Sequence, residues 1–157
     1  MTARSVIHDT FTIERTYPAA PGRVFAAFAS KEAKEAWGDT GDLGSSDVTA
    51  EFDFRASGWE RFGFEYNGTN YRYEALYYDI VPDQRIVYSY EMYAGDARIS
   101  VSVATIEFVP SGDGTTLTVT EQGAYLDGID GPGAPSQRCE GVTEMLDNLT
   151  DYLKQRA

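Results

Sequence analysis

From about residue 47 to residue 123 the sequence alternates apolar and polar side chains in six successive runs. They lie at about 47–55, 58–66, 70–81, 85–94, 97–110 and 114–123. Turn signals separate them: Ser57-Gly58, Asn67-Gly68, Pro82-Asp83, Gly95-Asp96 and Ser111-Gly-Asp-Gly114. A period of two, repeatedly reversed by short turns, admits little except an antiparallel sheet. Phe11-Thr-Ile-Glu-Arg-Thr-Tyr17 alternates in the same way and supplies a first strand.

Two stretches depart from this period. Pro21 suits the first turn of a helix, and Val24, Phe25 and Phe28 follow at helical spacing. Ser30 is placed to cap a second short helix over Lys31–Trp37. After the Gly/Pro-rich stretch at 127–133, Val142, Met145, Leu146, Leu149 and Leu153 mark one face of a long terminal helix starting near Gln137. A chain of 157 residues supplies about one domain. The expected fold class is therefore α+β over residues 1–157: a seven-stranded antiparallel sheet wrapped around a long C-terminal helix, with two short helices between strands 1 and 2.

Register follows from the turns. A two-residue loop at Asn67-Gly68 pairs Tyr66 with Thr69, which sets Arg61 opposite Glu74 and Trp59 opposite Leu76. The Ser57-Gly58 turn then places Phe52 and Phe54 beside Arg61 and Trp59. The Pro82 turn places Leu76 and Tyr78 beside Tyr90 and Tyr88. The Gly95-Asp96 turn sets Met92, Tyr90 and Tyr88 against Ile99, Val101 and Val103. In the last hairpin Phe108 and Ile106 meet Leu117 and Val119, which requires a β-bulge between Val103 and Ile106. One face then collects Phe52, Phe54, Trp59, Leu76, Tyr78, Tyr88, Tyr90, Met92, Val101, Val103 and Leu117, with Arg61, Glu74 and Glu121 among them. That face is expected to meet the helix.

Charge and composition narrow the function. Against 25 Asp+Glu stand 13 Lys+Arg, a net charge of -12, which repels phosphate and argues against nucleic acid or an anionic membrane as partner. One Cys and one His exclude a disulfide framework and a Cys-rich metal site, and thiol–imidazole chemistry would need Cys139 to meet His8. Asp127-x-x-Asp130 lacks the ligand spacing of a calcium loop. No metal, cofactor or catalytic constellation is expected. The opening residues lack the apolar core of a signal peptide, and no run reaches the roughly 18–20 apolar residues of a membrane span, so the expected location is cytoplasmic.

Several segments, in their order and spacing, resemble a known family. They are Glu14-Arg-Thr-Tyr-Pro-Ala-Ala-Pro-Gly-Arg-Val-Phe25, Phe52-Asp-Phe54, Tyr71-Arg-Tyr-Glu74, Ile80-Val-Pro82 with Arg85-Ile-Val-Tyr88, and Thr120-Glu-Gln-Gly123. Together they resemble the START-like (SRPBCC) superfamily of helix-grip proteins, in the branch related to the heat-shock-protein-90 ATPase activator, from about Phe11 to Leu153. Members often carry a tryptophan after the glycine near the start of the last helix. Here Val142 follows Gly141, which implies a larger cavity. The resemblance implies a fold more than a function, because the superfamily includes lipid carriers, hormone receptors, polyketide cyclases and co-chaperones.

The leading expectation is a binding module that holds a small hydrophobic or aromatic molecule between sheet and helix. Its cavity would be lined by Trp37, Phe52, Phe54, Trp59, Arg61, Glu74, Leu76, Tyr78, Tyr88, Tyr90, Met92, Val101, Glu121, Val142, Met145, Leu146 and Leu149. Eight of the 11 tyrosines fall between Tyr66 and Tyr93, and tyrosine offers apolar area plus one hydroxyl. Arg61 with Glu74 would orient a polar group or merely fix the sheet. Glu121 would serve as an acid or base, or bond to a tyrosine. The alternatives are a polyketide cyclase/dehydratase-like enzyme using Glu121 or Glu74 with a tyrosine, and a co-chaperone or stress-response module, implied by the branch name. With Arg61 and Glu74 inward, Phe62, Phe64, Tyr66, Tyr71, Tyr73 and Tyr77 would point away from the helix. Phe62, Phe64, Tyr71 and Tyr73 would then be the surface of a homodimer.

Overall fold

The computed structural model describes residues 3–38 and 51–155. In chain order the elements are β1 (Val6–Tyr17), α1 (Pro21–Ala29), α2 (Lys31–Trp37), β2 (Glu51–Phe52), β3 (Trp59–Tyr66), β4 (Thr69–Val81), β5 (Arg85–Ala94), β6 (Ala97–Ser111), β7 (Gly114–Leu126) and α3 (Ala134–Gln155). All seven strands form one antiparallel sheet in the order β1-β7-β6-β5-β4-β3-β2. The α+β helix-grip architecture is as expected. Residues 47–50 of the strand expected at 47–55 lie outside the described residues.

Local chemistry accounts for the boundaries. Pro21 opens α1, and the Ser30 hydroxyl caps α2 by accepting from the Ala33 N–H at 3.2 Å. Asn67 and Gly68 both take positive φ (50° and 80°), as a tight two-residue hairpin turn requires, and Tyr66 pairs with Thr69.

The core lies between α1, α3 and the β6–β7 side of the sheet. Val24, Phe25 and Phe28 of α1 meet Ile106, Phe108, Leu117 and Val119 from the strands and Leu146, Leu149 and Leu153 from α3. Phe28 contacts Trp37 and Phe108 edge-on at 4.9 and 5.6 Å between ring centroids. Trp37, one of the residues expected to line the cavity, is buried here, its indole N–H donating to the Ala27 carbonyl at 2.9 Å. Two polar ties hold the C-terminal half of α3. The Tyr17 hydroxyl donates to the Leu146 carbonyl at 3.0 Å, and Arg23 donates to the Leu153 carbonyl at 2.6 Å. Burial pushes the Tyr17 phenol up to about 12.

The strand faces differ from the expected assignment. Pairing of Arg61 with Glu74, Trp59 with Leu76, Phe108 with Leu117 and Ile106 with Val119 is as expected. The irregularities, however, fall elsewhere. Tyr78 is an extra residue in β4, where the register with β5 shifts, so that Tyr77 rather than Tyr78 faces Tyr88. Ile99 is an extra residue in β6, so Met92, Tyr90 and Tyr88 face Ser100, Ser102 and Ala104. No shift occurs between Val103 and Ile106. Because successive side chains point to opposite faces, each extra residue reverses everything beyond it. Trp59, Arg61, Glu74, Leu76, Tyr78, Val101 and Val103 therefore stand on the convex face, away from α3. Phe62, Phe64, Tyr71, Tyr73 and Tyr77 stand on the concave face, on the same side as α3, and so do not form the outward patch on which a homodimer was expected. Phe52 pairs with Glu60 and shares the concave side, while Glu51 lies opposite Arg61.

Gly123 of β7 marks a close approach inside the sheet. A Cβ there would lie 2.9 Å from the buried Ser102 hydroxyl and 3.2 Å from the Tyr125 ring. Gly123→Ala is expected to destabilise the fold by about 1–3 kcal/mol through overpacking, read as a lowered denaturant midpoint with unchanged slope. An unchanged midpoint would show that Ser102 and Tyr125 yield freely.

Candidate functional site

Among the described residues α3 packs chiefly against β1, β7 and α2, and beside it the β3–β5 half of the concave face carries a run of aromatic side chains, an aromatic trough. On its floor, paired strands set Phe62 against Tyr73, Phe64 against Tyr71, and Tyr77 against Tyr88. Phe62 stacks on Tyr73 at 4.8 Å and Phe64 on Tyr71 at 5.3 Å. Tyr73 lies 5.1 Å from Tyr90, and Tyr88 lies 5.8 Å from Tyr77 and 6.1 Å from Tyr90. Phe52 and Phe54 continue the aromatic surface, Phe54 meeting Tyr77 edge-on at 5.1 Å.

A charged cluster stands at each end. At the α2 end, Glu60 is buried on β3 and receives both oxygens' worth of donors: Lys34 Nζ at 2.6 and 2.9 Å, and the Tyr77 hydroxyl at 3.0 Å. At the α3 end, Glu121 is buried on β7 and accepts a very short hydrogen bond from the Tyr90 hydroxyl. Arg138, on the first turns of α3, donates to that same hydroxyl at 3.1 Å and to Ser100 Oγ at 2.9 Å. Its guanidinium lies 5.4 and 5.3 Å from the Tyr90 and Tyr125 ring centroids. Each buried carboxylate thus has a cation within one or two bonds, as burial in an apolar wall demands.

These surroundings move the titrations. Burial pushes the Glu121 carboxyl up, only partly offset by the Tyr90 hydrogen bond and the Arg138 charge. Burial raises the Tyr90 and Tyr77 phenols, and the negative charge of Glu121 and Glu60 respectively raises them further. Burial works against the Arg138 charge, but Tyr90, Tyr125 and Glu121 more than offset it, so its pKa is raised. At neutral pH the tyrosines are neutral and able to donate.

Of the sequence-derived cavity residues, the structure brings Phe52, Phe54, Tyr88, Tyr90, Met92 and Glu121 to the concave face. Val142 is half-buried against the core, Leu146 and Leu149 lie within it, and Met145 is 39% exposed. Arg61 and Glu74 are cross-strand neighbours on the convex face, but their ion pairs run elsewhere: Arg61 to Glu51 at 3.1 Å and Glu74 to Arg72 at 3.1 Å. Lys34, Glu60, Tyr73, Tyr77, Ser100 and Arg138 were missed. A signal for the tyrosines was present in β4 itself, where Tyr71, Tyr73, Ala75 and Tyr77 alternate with charged Arg72 and Glu74. Two open surface recesses lie outside the trough, one along Cys139, Thr143 and Glu144 of α3 and one on the convex side near His8 and Gln122. His8 is exposed on β1, at the second of these. Among the described residues no group of three or more His, Cys, Asp or Glu is placed to hold a metal ion, and no helix is long and apolar enough to cross a membrane.

Sheet, grip helix and concave trough define a START-like, helix-grip protein. The chain belongs to the family described as Activator of Hsp90 ATPase homolog 1-like protein, whose model matches residues 18–154. Among solved structures it is similar to Mll3558 from Rhizobium loti, with 49% identity over 94% of this chain and 99% of that one and a TM-score of 0.84. It is likewise similar to an uncharacterised protein from Rhizobium leguminosarum, with 39% identity over 98% and 99% and a TM-score of 0.87. DynU16, a protein of the dynemicin biosynthetic locus, shares the fold at 16% identity and a TM-score of 0.66, over 93% of this chain and 47% of that one. No curated protein matches.

The raised Glu121 pKa has a definite sign. The folded chain holds this proton more tightly than the unfolded one, so the group's contribution to stability is greatest in acid and is lost as pH rises through the folded pKa. Carboxyl carbon shifts in an NMR titration are expected to give Glu121 a midpoint above the roughly 4.3 of an exposed glutamate. A midpoint at or below that figure would mean that Tyr90 and Arg138, not burial, dominate the site.

Proposed function

We propose that this protein binds a small hydrophobic or aromatic molecule in the trough between β3–β5 and α3. The observation that carries this reading is the half-buried state of Phe62, Phe64, Tyr71, Tyr73, Tyr88 and Met92 on the concave face. Aromatic and apolar groups arrayed around a few fixed polar ones are what small-molecule sites present. Offset rings on neighbouring strands suit a flat apolar partner, and Met92 can adapt to its outline. The charged clusters at the two ends are internally paired, so they set the limits of the apolar floor and leave its centre uncharged.

The two faces of the sheet provide the test. Phe62→Lys places a charge in the trough, whereas Leu76→Lys places one on the convex side of the neighbouring strand. In fluorescence titrations with the uncharged dye Nile red, Phe62→Lys is expected to weaken binding roughly tenfold or more. Leu76→Lys is expected to leave it unchanged. Equal affinities for wild type and Phe62→Lys, or a loss confined to Leu76→Lys, would overturn the trough as the site.

A further inference from the structure

The two charged clusters at the ends of the trough are closed to different degrees. Lys34 meets both oxygens of Glu60 directly, at 2.6 and 2.9 Å. Arg138 is half-buried, and burial works against its charge, yet among the described residues it makes no direct ion pair. Its guanidinium donates instead to two neutral hydroxyls, Tyr90 at 3.1 Å and Ser100 at 2.9 Å. The Glu121 carboxylate is one step further off, beyond the Tyr90 hydroxyl that donates to it. Desolvated cations are ordinarily met by an anion. A second observation marks the same end of the trough. Of the buried side-chain polar atoms that lack a hydrogen-bond partner among the described residues, Ser102 Oγ is the one on the concave face. Ser102 lies two positions from Ser100, opposite Tyr90 on one side and Gly123, which has no side chain to offer it, on the other.

We infer that Arg138 receives a ligand carboxylate, so that the trough takes a flat aromatic acid with its acid group at the α3 end and its ring over the β4–β5 floor. The inference rests on the trough reading above and adds to it the chemistry of the ligand's polar group. The guanidinium keeps N–H donors beyond the two already used, in a planar fork that matches a carboxylate. Neither hydroxyl it holds discharges it. Glu121 does so only weakly: of the groups that raise the Arg138 pKa it contributes least, and burial favours its own neutral form. Apolar surface adjoins the cation, as an arene carrying a carboxylate requires. The Tyr73 and Tyr90 rings lie 5.1 Å apart, and Met92 stands opposite Ser100. An acceptor oxygen entering here also answers the Ser102 hydroxyl, directly or through a water. Lys34 offers no equivalent at the other end, because Glu60 already holds it with both oxygens. An ammonium head group would meet like charge at Arg138.

The test uses four naphthalene probes of nearly the same shape: naphthoate, its amide, ethylnaphthalene and naphthylmethylamine. Titration calorimetry is run at neutral pH with wild type and with Arg138→Gln, which removes the charge and keeps hydrogen-bonding groups. Naphthoate is expected to bind wild type about tenfold more tightly than the amide, the margin of a charge-assisted hydrogen bond over a neutral one. That margin should vanish in Arg138→Gln, whose affinity for ethylnaphthalene should not fall, and Arg138→Lys should restore part of it. The comparison of acid with amide on wild type decides the point even where a variant does not fold. If acid and amide bind wild type equally, or Arg138→Gln keeps the margin, the carboxylate site is wrong while the trough stands. Tighter binding of the amine than of the acid would overturn it as well, with Glu121 rather than Arg138 setting the charge at this end. Failure of all four probes to bind would overturn this proposal together with the trough.

Discussion

A pleated strand turns successive side chains to opposite faces, and this parity organises the whole molecule. One extra residue reverses the identity of the face for all that follow it. β4 and β6 each contain such a residue, Tyr78 and Ile99. With Tyr78 set outward and 59% exposed, Tyr77, Ala75, Tyr73 and Tyr71 all turn toward α3. Their partners on β3, Glu60, Phe62 and Phe64, turn with them. The trough, its tyrosines and one of its two carboxylates exist on that side because of a single inserted position.

The concave face contains more polarity than an ordinary core. Its solution is to place each carboxylate at a margin and satisfy it there. Glu60 sits where α2 can supply Lys34, and Glu121 sits where the start of α3 can supply Arg138. Desolvation alone would make two buried carboxylates costly. Paired, they also tie short α2 and the first turns of α3 to the sheet. The apolar work is done elsewhere, by Leu146, Leu149 and Leu153, which join Ile13 and Tyr17 of β1, Leu117 and Val119 of β7 and the α1 side chains in one buried cluster. The helix is therefore gripped hydrophobically at its C-terminal half and by polar contacts near its start. Among the described residues this division leaves Phe62, Phe64, Tyr71 and Tyr73 outside the apolar cluster that α3 joins.

Much of the fold was legible in the residues. Period-two runs, an Asn-Gly turn, Pro21 and Ser30 specified strands, hairpins and helix starts, because backbone sterics and local hydrogen bonds act within a few residues. The apolar stripe Leu146/Leu149/Leu153 specified a helix that must cover a sheet. Two hairpin registers, at Asn67-Gly68 and at the last turn, followed from turn geometry alone. Within β4, the alternation of tyrosines with Arg72 and Glu74 separated two faces without saying which of them meets α3.

What the residues did not disclose was where the strand periods break. A bulge forms when two long strands, each paired correctly at its own turn, must also satisfy a common curvature and a common core; no short window of sequence contains that competition. Following parity through the Pro82 turn therefore carried Trp59, Arg61, Glu74 and Leu76 to the wrong side, and through the Gly95-Asp96 turn Val101 and Val103. The partners of the buried charges were equally out of reach. Lys34 meets Glu60 across 26 positions, and Arg138 meets Tyr90 across 48. Sequence determined the elements and the need to cover an apolar face, because those are local demands of backbone and hydrophobicity. Tertiary structure alone decided which face that would be and which charges would share it, because only closure of the sheet around α3 brings distant groups into one desolvated space.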